Sequence, residues 1–286
     1  MLKAYIMLTK PGIIIGNLIT AAGGFLFASR GDVDLLSMAG VLVGTTLVIA
    51  SGCVFNNYID RGIDAKMTRT KKRALVTGTI PTPHALAYAA ALGALGFLTL
   101  AVLTNGLTVF VGALGYFFYL VMYSIWKRRS TLGTLVGSVA GATPILAGYV
   151  AASNNLDSAA VLVFAILALW QMPHFFAIAM YRHTDYAAAG LPVMPVEKGN
   201  PLTKQYIVLY IVAFTAAICA LATLGYAGIV YLGVMGVLCL AWLFKAIKGL
   251  DITADKDMTW ARDMFKLSLR VITVFSVMIS IDALLP

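Results

Sequence analysis

Charged side chains are scarce in this chain: they make up 12% of its residues, against about 25% in soluble domains. That scarcity excludes an ordinary water-soluble fold. Acids are the rarer sign, 12 Asp and Glu against 21 Lys and Arg, and the net charge of +9 raises the question of a nucleic-acid partner. The bases alternate with apolar stretches instead of striping a soluble domain, which argues for no nucleic acid. Cysteine is nearly absent. Cys53, Cys219 and Cys239 lie in apolar segments without metal-ligand spacing and read as small buried hydrophobes. The stretch from Met1 to Pro11 lacks a cleavable signal pattern and the composition of a transit peptide, which points to a bacterial inner membrane.

What the chain has in abundance is apolar length, with 60% hydrophobic residues and a mean hydropathy of +0.89. At about 20 residues per span, nine or ten membrane helices fit. Apolar runs bounded by Gly, Pro and charge predict an all-α, polytopic chain forming a single membrane domain over 1–286. The predicted spans are 12–29, 36–58, 84–104, 107–126, 132–152, 158–181, 204–224, 226–246 and 264–284, with tight turns at Asn105-Gly106 and near Gly225. Lys and Arg crowd into the N-terminal tail and the even loops; Arg30 alone falls on the other face. The positive-inside rule then puts the N-terminus in the cytoplasm and the C-terminus outside. Arg270 falls inside the last span, where it either snorkels or lines a cavity.

One loop, Asn56 to Arg73, concentrates chemistry. Asn57, Asp60 and Asp64 stand at i, i+3 and i+7 and share one face if the second helix continues through them. Oxygen ligands so placed suit Mg²⁺, which takes one or two protein carboxylates and completes its shell with water and substrate phosphates. Lys66, Arg69, Lys71, Lys72 and Arg73 follow, either as counter-charges for a diphosphate or as solvated cations that set topology.

The string Asn57-x-x-Asp60-x-x-x-Asp64 resembles the first aspartate-rich motif of the UbiA-type intramembrane prenyltransferases, in which Asn-Asp-x-x-Asp-x-x-x-Asp is usual; Asn57 stands where that family commonly has Asp. Further segments resemble the heme-modifying branch of the family: Thr9-Lys10-Pro11-Gly12, Ser51-Gly52-Cys53, Arg69 through Val76, and Trp170-Gln171-Met172-Pro173-His174-Phe175. The resemblance implies about nine helices around a central cavity and a Mg²⁺-dependent transfer of farnesyl from farnesyl diphosphate to a vinyl group of heme b, giving heme O and diphosphate. It implies Asn57, Asp60 and Asp64 as metal-binding and catalytic residues, and Asn56, Arg69, Lys72 and Arg73 around the substrate. The bilayer, and downstream a terminal oxidase or a heme A synthase, are the partners that follow.

The family's second Asp-x-x-x-Asp motif reads here Tyr181-Arg182-His183-Thr184-Asp185-Tyr186. Asp185 is the acid to carry over as metal ligand and catalytic residue; Arg182 suits either phosphate or a heme propionate. His174, in an apolar span, is the first choice among the histidines for contacting heme, with a helix-packing hydrogen bond as the alternative. His183 could touch either substrate, and His84 reads as a cap or surface residue. By resemblance Lys127 and Arg128 hold diphosphate, though topology-setting charge explains them equally. Gly133, Gly137, Gly141 and Gly148 slim the fifth helix for close packing or for a flat macrocycle. Phe110, Tyr116, Phe117, Tyr119 and Tyr123 offer either π faces to a cation or packing surface, and Gly190 to Pro195 forms a stiffened loop over the site. The rival readings are a prenyltransferase of an aromatic quinone precursor, a transporter and a non-catalytic heme-assembly factor.

Overall fold

In hydrocarbon every backbone N–H needs an internal partner, so long apolar runs are driven into helices. The computed structural model describes residues 1–285 and, among them, contains helices and no strand. Among the described residues nine helices are long and apolar enough to cross a membrane, and the chain is a multi-pass membrane protein. They are α1 (Pro11–Ser29), α2 (Leu35–Ile59), α3 (Thr82–Leu103), α4 (Gly106–Trp126), α5 (Gly133–Ser153), α6 (Ser158–Tyr181), α7 (Gly199–Thr223), α8 (Ile229–Lys248) and α9 (Asp257–Ile281).

Side-chain caps fix several starts. Asp34 accepts the Leu36 and Ser37 N–H groups, Asn105 that of Thr108, and Asp157 that of Ala160. Both expected tight turns form, with Gly225 in the left-handed region at φ +78°. The expected span starts at 204 and 264 are corrected. α7 begins at Gly199 and α9 at Asp257, because Lys204 and Asp257 pair at 2.6 Å in a buried contact that Asn200 completes at 2.7 Å. Apolar runs alone miss such polar helix ends. α2 also stops at Ile59, so the expected continuous helix through Asp64 is replaced by a capped end at Asp60 and a separate turn, Arg61–Asp64.

α2, α5 and α6 are the most enclosed spans. α1 lies along α5, α3 along α2, and α4 beside α5; α9 packs on α1 and α6, with α7 and α8 outside. The α1–α5 crossing is set by reciprocal glycines: a Cβ on Gly24 would strike the Ile145 carbonyl, and one on Gly148 the Ala21 carbonyl. Pro144 in α5 removes an N–H from the helix ladder, and the Thr143 hydroxyl donates to the Ala140 carbonyl at 2.7 Å in its place.

Candidate active site

The spans enclose a cavity of about 1600 Å³ that opens at the end carrying the Asn56 to Arg73 loop. At that end Asp60 is the hub. Its Oδ2 accepts from Lys127 Nζ at 2.5 Å and Asn56 Nδ2 at 3.0 Å, and its Oδ1 from Arg128 at 3.2 Å. Asp64 accepts from Arg73 at 2.6 Å. Lys10 reaches in from the start of α1 and donates to Asn56 Oδ1 at 2.9 Å. Its backbone is left-handed (φ 55°), an uncommon conformation for a side chain with a Cβ, at the break between the short Leu2–Leu8 helix and α1. Burial pushes the Lys10 ammonium below its ordinary pKa, with Asp60 and Asp64 pulling it back. Burial acts on Lys127 in the same direction, again against Asp60.

Asn57 is buried, donates to the Leu8 carbonyl at 2.8 Å, and leaves Oδ1 with no partner. A buried amide oxygen without a donor is costly unless a cation or donor completes it. Together with the carboxylates of Asp60 and Asp64, which line the same cavity wall, it is an oxygen donor set of the kind Mg²⁺ takes when phosphate and water supply the rest. Among the described residues no three His, Cys, Asp or Glu side chains cluster as a closed metal cage. An open, substrate-completed site is what these residues fit.

Arg69, Lys72, Arg73, Lys127 and Arg182 line the cavity; Arg128, His183 and Asp185 do not. Arg128 reaches Asp60 from outside the lining. Asp185 accepts the Thr68 backbone N–H at 2.9 Å and so ties the segment after α6 to the charged loop, while His183 is exposed. Pro192 and Val193 of the stiffened loop also reach the lining.

Deeper in, His174 stacks on Trp170 at 4.6 Å between ring centroids and lies 5.0 Å from Phe265 of α9. Its Nδ1 is 2.8 Å from Ser268 Oγ. With that hydroxyl's one proton on the Phe265 carbonyl, 2.7 Å away, it accepts from the imidazole, and in that arrangement Nδ1 carries the ring proton and Nε2 keeps its lone pair. The aromatics divide: Tyr116, Tyr119 and Tyr123 line the cavity, whereas Phe110 and Phe117 are exposed on the outer surface. Tyr119 and Tyr123 stack in parallel at 6.1 Å, across a π-helical turn, Phe118–Met122, inside α4. Sequence reading missed this turn, the placement of Lys10 and the Ser268 partner of His174. The pairing Lys10-Pro11 was the one local signal, since a residue before proline is barred from the helical region.

A charged mouth over an apolar, aromatic chamber in a nine-helix bundle defines an intramembrane prenyltransferase. Residues 17–269 match the UbiA prenyltransferase family, and the chain belongs to it. Along its whole length it is 49% identical to a protein from Enterobacter sp. (strain 638) named protoheme IX farnesyltransferase, 97% of which it covers. The fold is similar to that of a digeranylgeranylglyceryl phosphate synthase, with a TM-score of 0.81 at 19% identity, over 99% of this chain and 98% of that one. It is also similar to a UbiA homolog from Archaeoglobus fulgidus bound to GPP and Mg²⁺, with a TM-score of 0.70 at 18% identity, over 96% and 99%.

Proposed function

We infer that this protein transfers the farnesyl group of farnesyl diphosphate to a vinyl group of heme b, giving heme O and diphosphate. The observation that carries the reading is the single cavity joining an Asp60–Asp64 mouth ringed by cations to a chamber walled in part by His174 and Trp170. The relative named protoheme IX farnesyltransferase supports the choice of acceptor.

Asp60, Asp64 and the unpaired Asn57 Oδ1 hold Mg²⁺, as the Archaeoglobus homolog bound to GPP and Mg²⁺ supports. When bound, the metal neutralises the diphosphate as a Lewis acid. Lys10, Arg69, Lys72, Arg73, Lys127 and Arg182 surround the departing oxygens. Because that charge grows as the carbon–oxygen bond breaks, these fixed donors favour the transition state over the ground state. The allylic cation adds to the vinyl carbon, and water quenches the new cation as a hydroxyl with loss of a proton. Tyr116, Tyr119 and Tyr123 present π faces along the path. His174 Nε2 offers the iron a ligand, and Asp185 positions the charged loop through Thr68. The site faces the cytoplasm of a bacterial inner membrane, as the distribution of Lys and Arg supports.

The test is to incubate membranes containing the protein with heme b, farnesyl diphosphate and Mg²⁺ and separate the hemes by chromatography. A new, more hydrophobic heme is expected; its absence from a folded preparation sinks the reading, and its formation without Mg²⁺ sinks the metal role.

A further inference from the structure

One edge of the cavity is not accounted for by the chemistry at its mouth. α1 and α9 touch where a Cβ on Gly23 would stand 3.2 Å from the Ser276 carbonyl oxygen. Toward the charged end the helices part. A Cβ on Gly16 or Gly12, on the same side of α1, would meet nothing within 4 Å. Both glycines line the cavity, as do Phe265, Leu269 and Thr273 of α9. The cavity therefore opens sideways between α1 and α9, toward the lipid.

Along that opening α9 carries Arg262, Lys266 and Arg270, all exposed. Each precedes a lining residue by one helical turn, Phe265, Leu269 and Thr273 respectively, so the cations sit beside the wall. Their spacing of four residues separates them by about 6 Å along the axis. Among the described residues none has a carboxylate within ion-pair distance. Arg270 lies midway along a 25-residue helix, exposed and beside the lining instead of in it, a depth at which an unpaired cation is costly. A lipid phosphate stays at the interface and does not explain it.

We propose that Arg262, Lys266 and Arg270 are a docking rail for the two propionate carboxylates of heme b, which passes edge-on between α1 and α9. The proposal rests on the farnesyl-transfer reading. Vinyl and propionate groups occupy opposite edges of the macrocycle. A vinyl turned toward the mouth built by α2 and α4 thus points the carboxylates away from it, toward α9, which packs on α1, α6 and α8. Gly12 and Gly16 keep the facing wall smooth for a flat ring, and Phe265 links the rail to His174.

The experiment is an optical titration of heme b, and of its propionate dimethyl ester, into the protein in lipid nanodiscs made with and without anionic lipid. The native chain is expected to bind the diacid at least about tenfold more tightly than the diester. In the Arg262→Gln/Lys266→Gln/Arg270→Gln variant the preference should fall to about twofold or less through weaker diacid binding, with the KM for farnesyl diphosphate unmoved. A native chain that does not distinguish the two hemes overturns the proposal, even if the variant fails to fold. A variant that keeps the full preference overturns it too, as does a preference that vanishes when anionic lipid is present, which would assign the rail to lipid phosphate. If heme binding discriminates but no heme O forms, the functional reading fails while the rail stands.

Discussion

At the mouth of the cavity Asp60 and Asp64 are held by Lys127, Arg128 and Arg73, and the nearby Asn57 carries an oxygen with no donor. On the chamber wall the polar contacts are neutral: the His174 imidazole meets Ser268 Oγ and stacks on Trp170, whose indole N–H donates to the Ser268 carbonyl at 2.8 Å, and Gln171 donates to the Ser138 carbonyl at 3.1 Å. The mouth is organised by charge, for a ligand whose own charge grows during reaction. That wall is organised by shape and by an imidazole, for a ligand that is flat and already formed. Mutations should therefore separate the two, one end governing diphosphate and the other heme.

The largest separation is expected from Asp60→Ala. Turnover should fall by at least about a hundredfold while the protein still inserts, as read by chromatographic assay against immunoblotted membrane protein. Activity within threefold of native, roughly 0.7 kcal/mol, would remove Asp60 from the chemistry. Next comes Lys127→Met, which strips the half-buried Asp60 carboxylate of its nearest cation and leaves it Arg128; a stability loss of about 1 kcal/mol should appear as a lower unfolding midpoint in detergent, along with a higher KM for farnesyl diphosphate. His174→Ala should weaken heme binding about tenfold and change the optical spectrum of bound heme, with the KM for farnesyl diphosphate unaltered. An unchanged spectrum would reduce His174 to a packing residue. Gly148→Ala tests the frame that holds both ends: its Cβ would meet the Ala21 carbonyl, so a loss of about 1–3 kcal/mol is expected without any shift in the ratio of the two KM values. The smallest effect belongs to Phe110→Ala on the outer surface, within about 0.5 kcal/mol and neutral in both binding assays; a clear loss of turnover there would mean that the aromatics do not divide as placed.

Much of this was legible in the chain because the bilayer imposes its own periodicity. The turn at Asn105-Gly106, the bend near Gly225 and the motif from Asn56 to Arg73 were all readable from local residue types. The charges at the mouth were too, since Lys127 and Arg128 flank the same side of the bundle as Asp60. The remainder depends on partners far apart in sequence. Lys204 looked like a loop cation because its partner, Asp257, lies at the start of another helix. Tyr116, Tyr119 and Tyr123 share one helix face at i, i+3 and i+7, and Phe110 and Phe117 share another, but which face meets the cavity is decided by how α4 packs on α5. The tautomer of His174 depends on Ser268, 94 residues away.

The bond from the Thr68 N–H to Asp185 spans 117 residues of chain and is exposed. It makes two lips of the mouth into one latch. The same two segments also bury Met67 against Ala189 and Leu191, with Ile63 and Tyr186 beside them, so the hydrogen bond, worth about 1.5–3 kcal/mol, fixes the register of a joint that apolar packing closes, and the two lips move as one body.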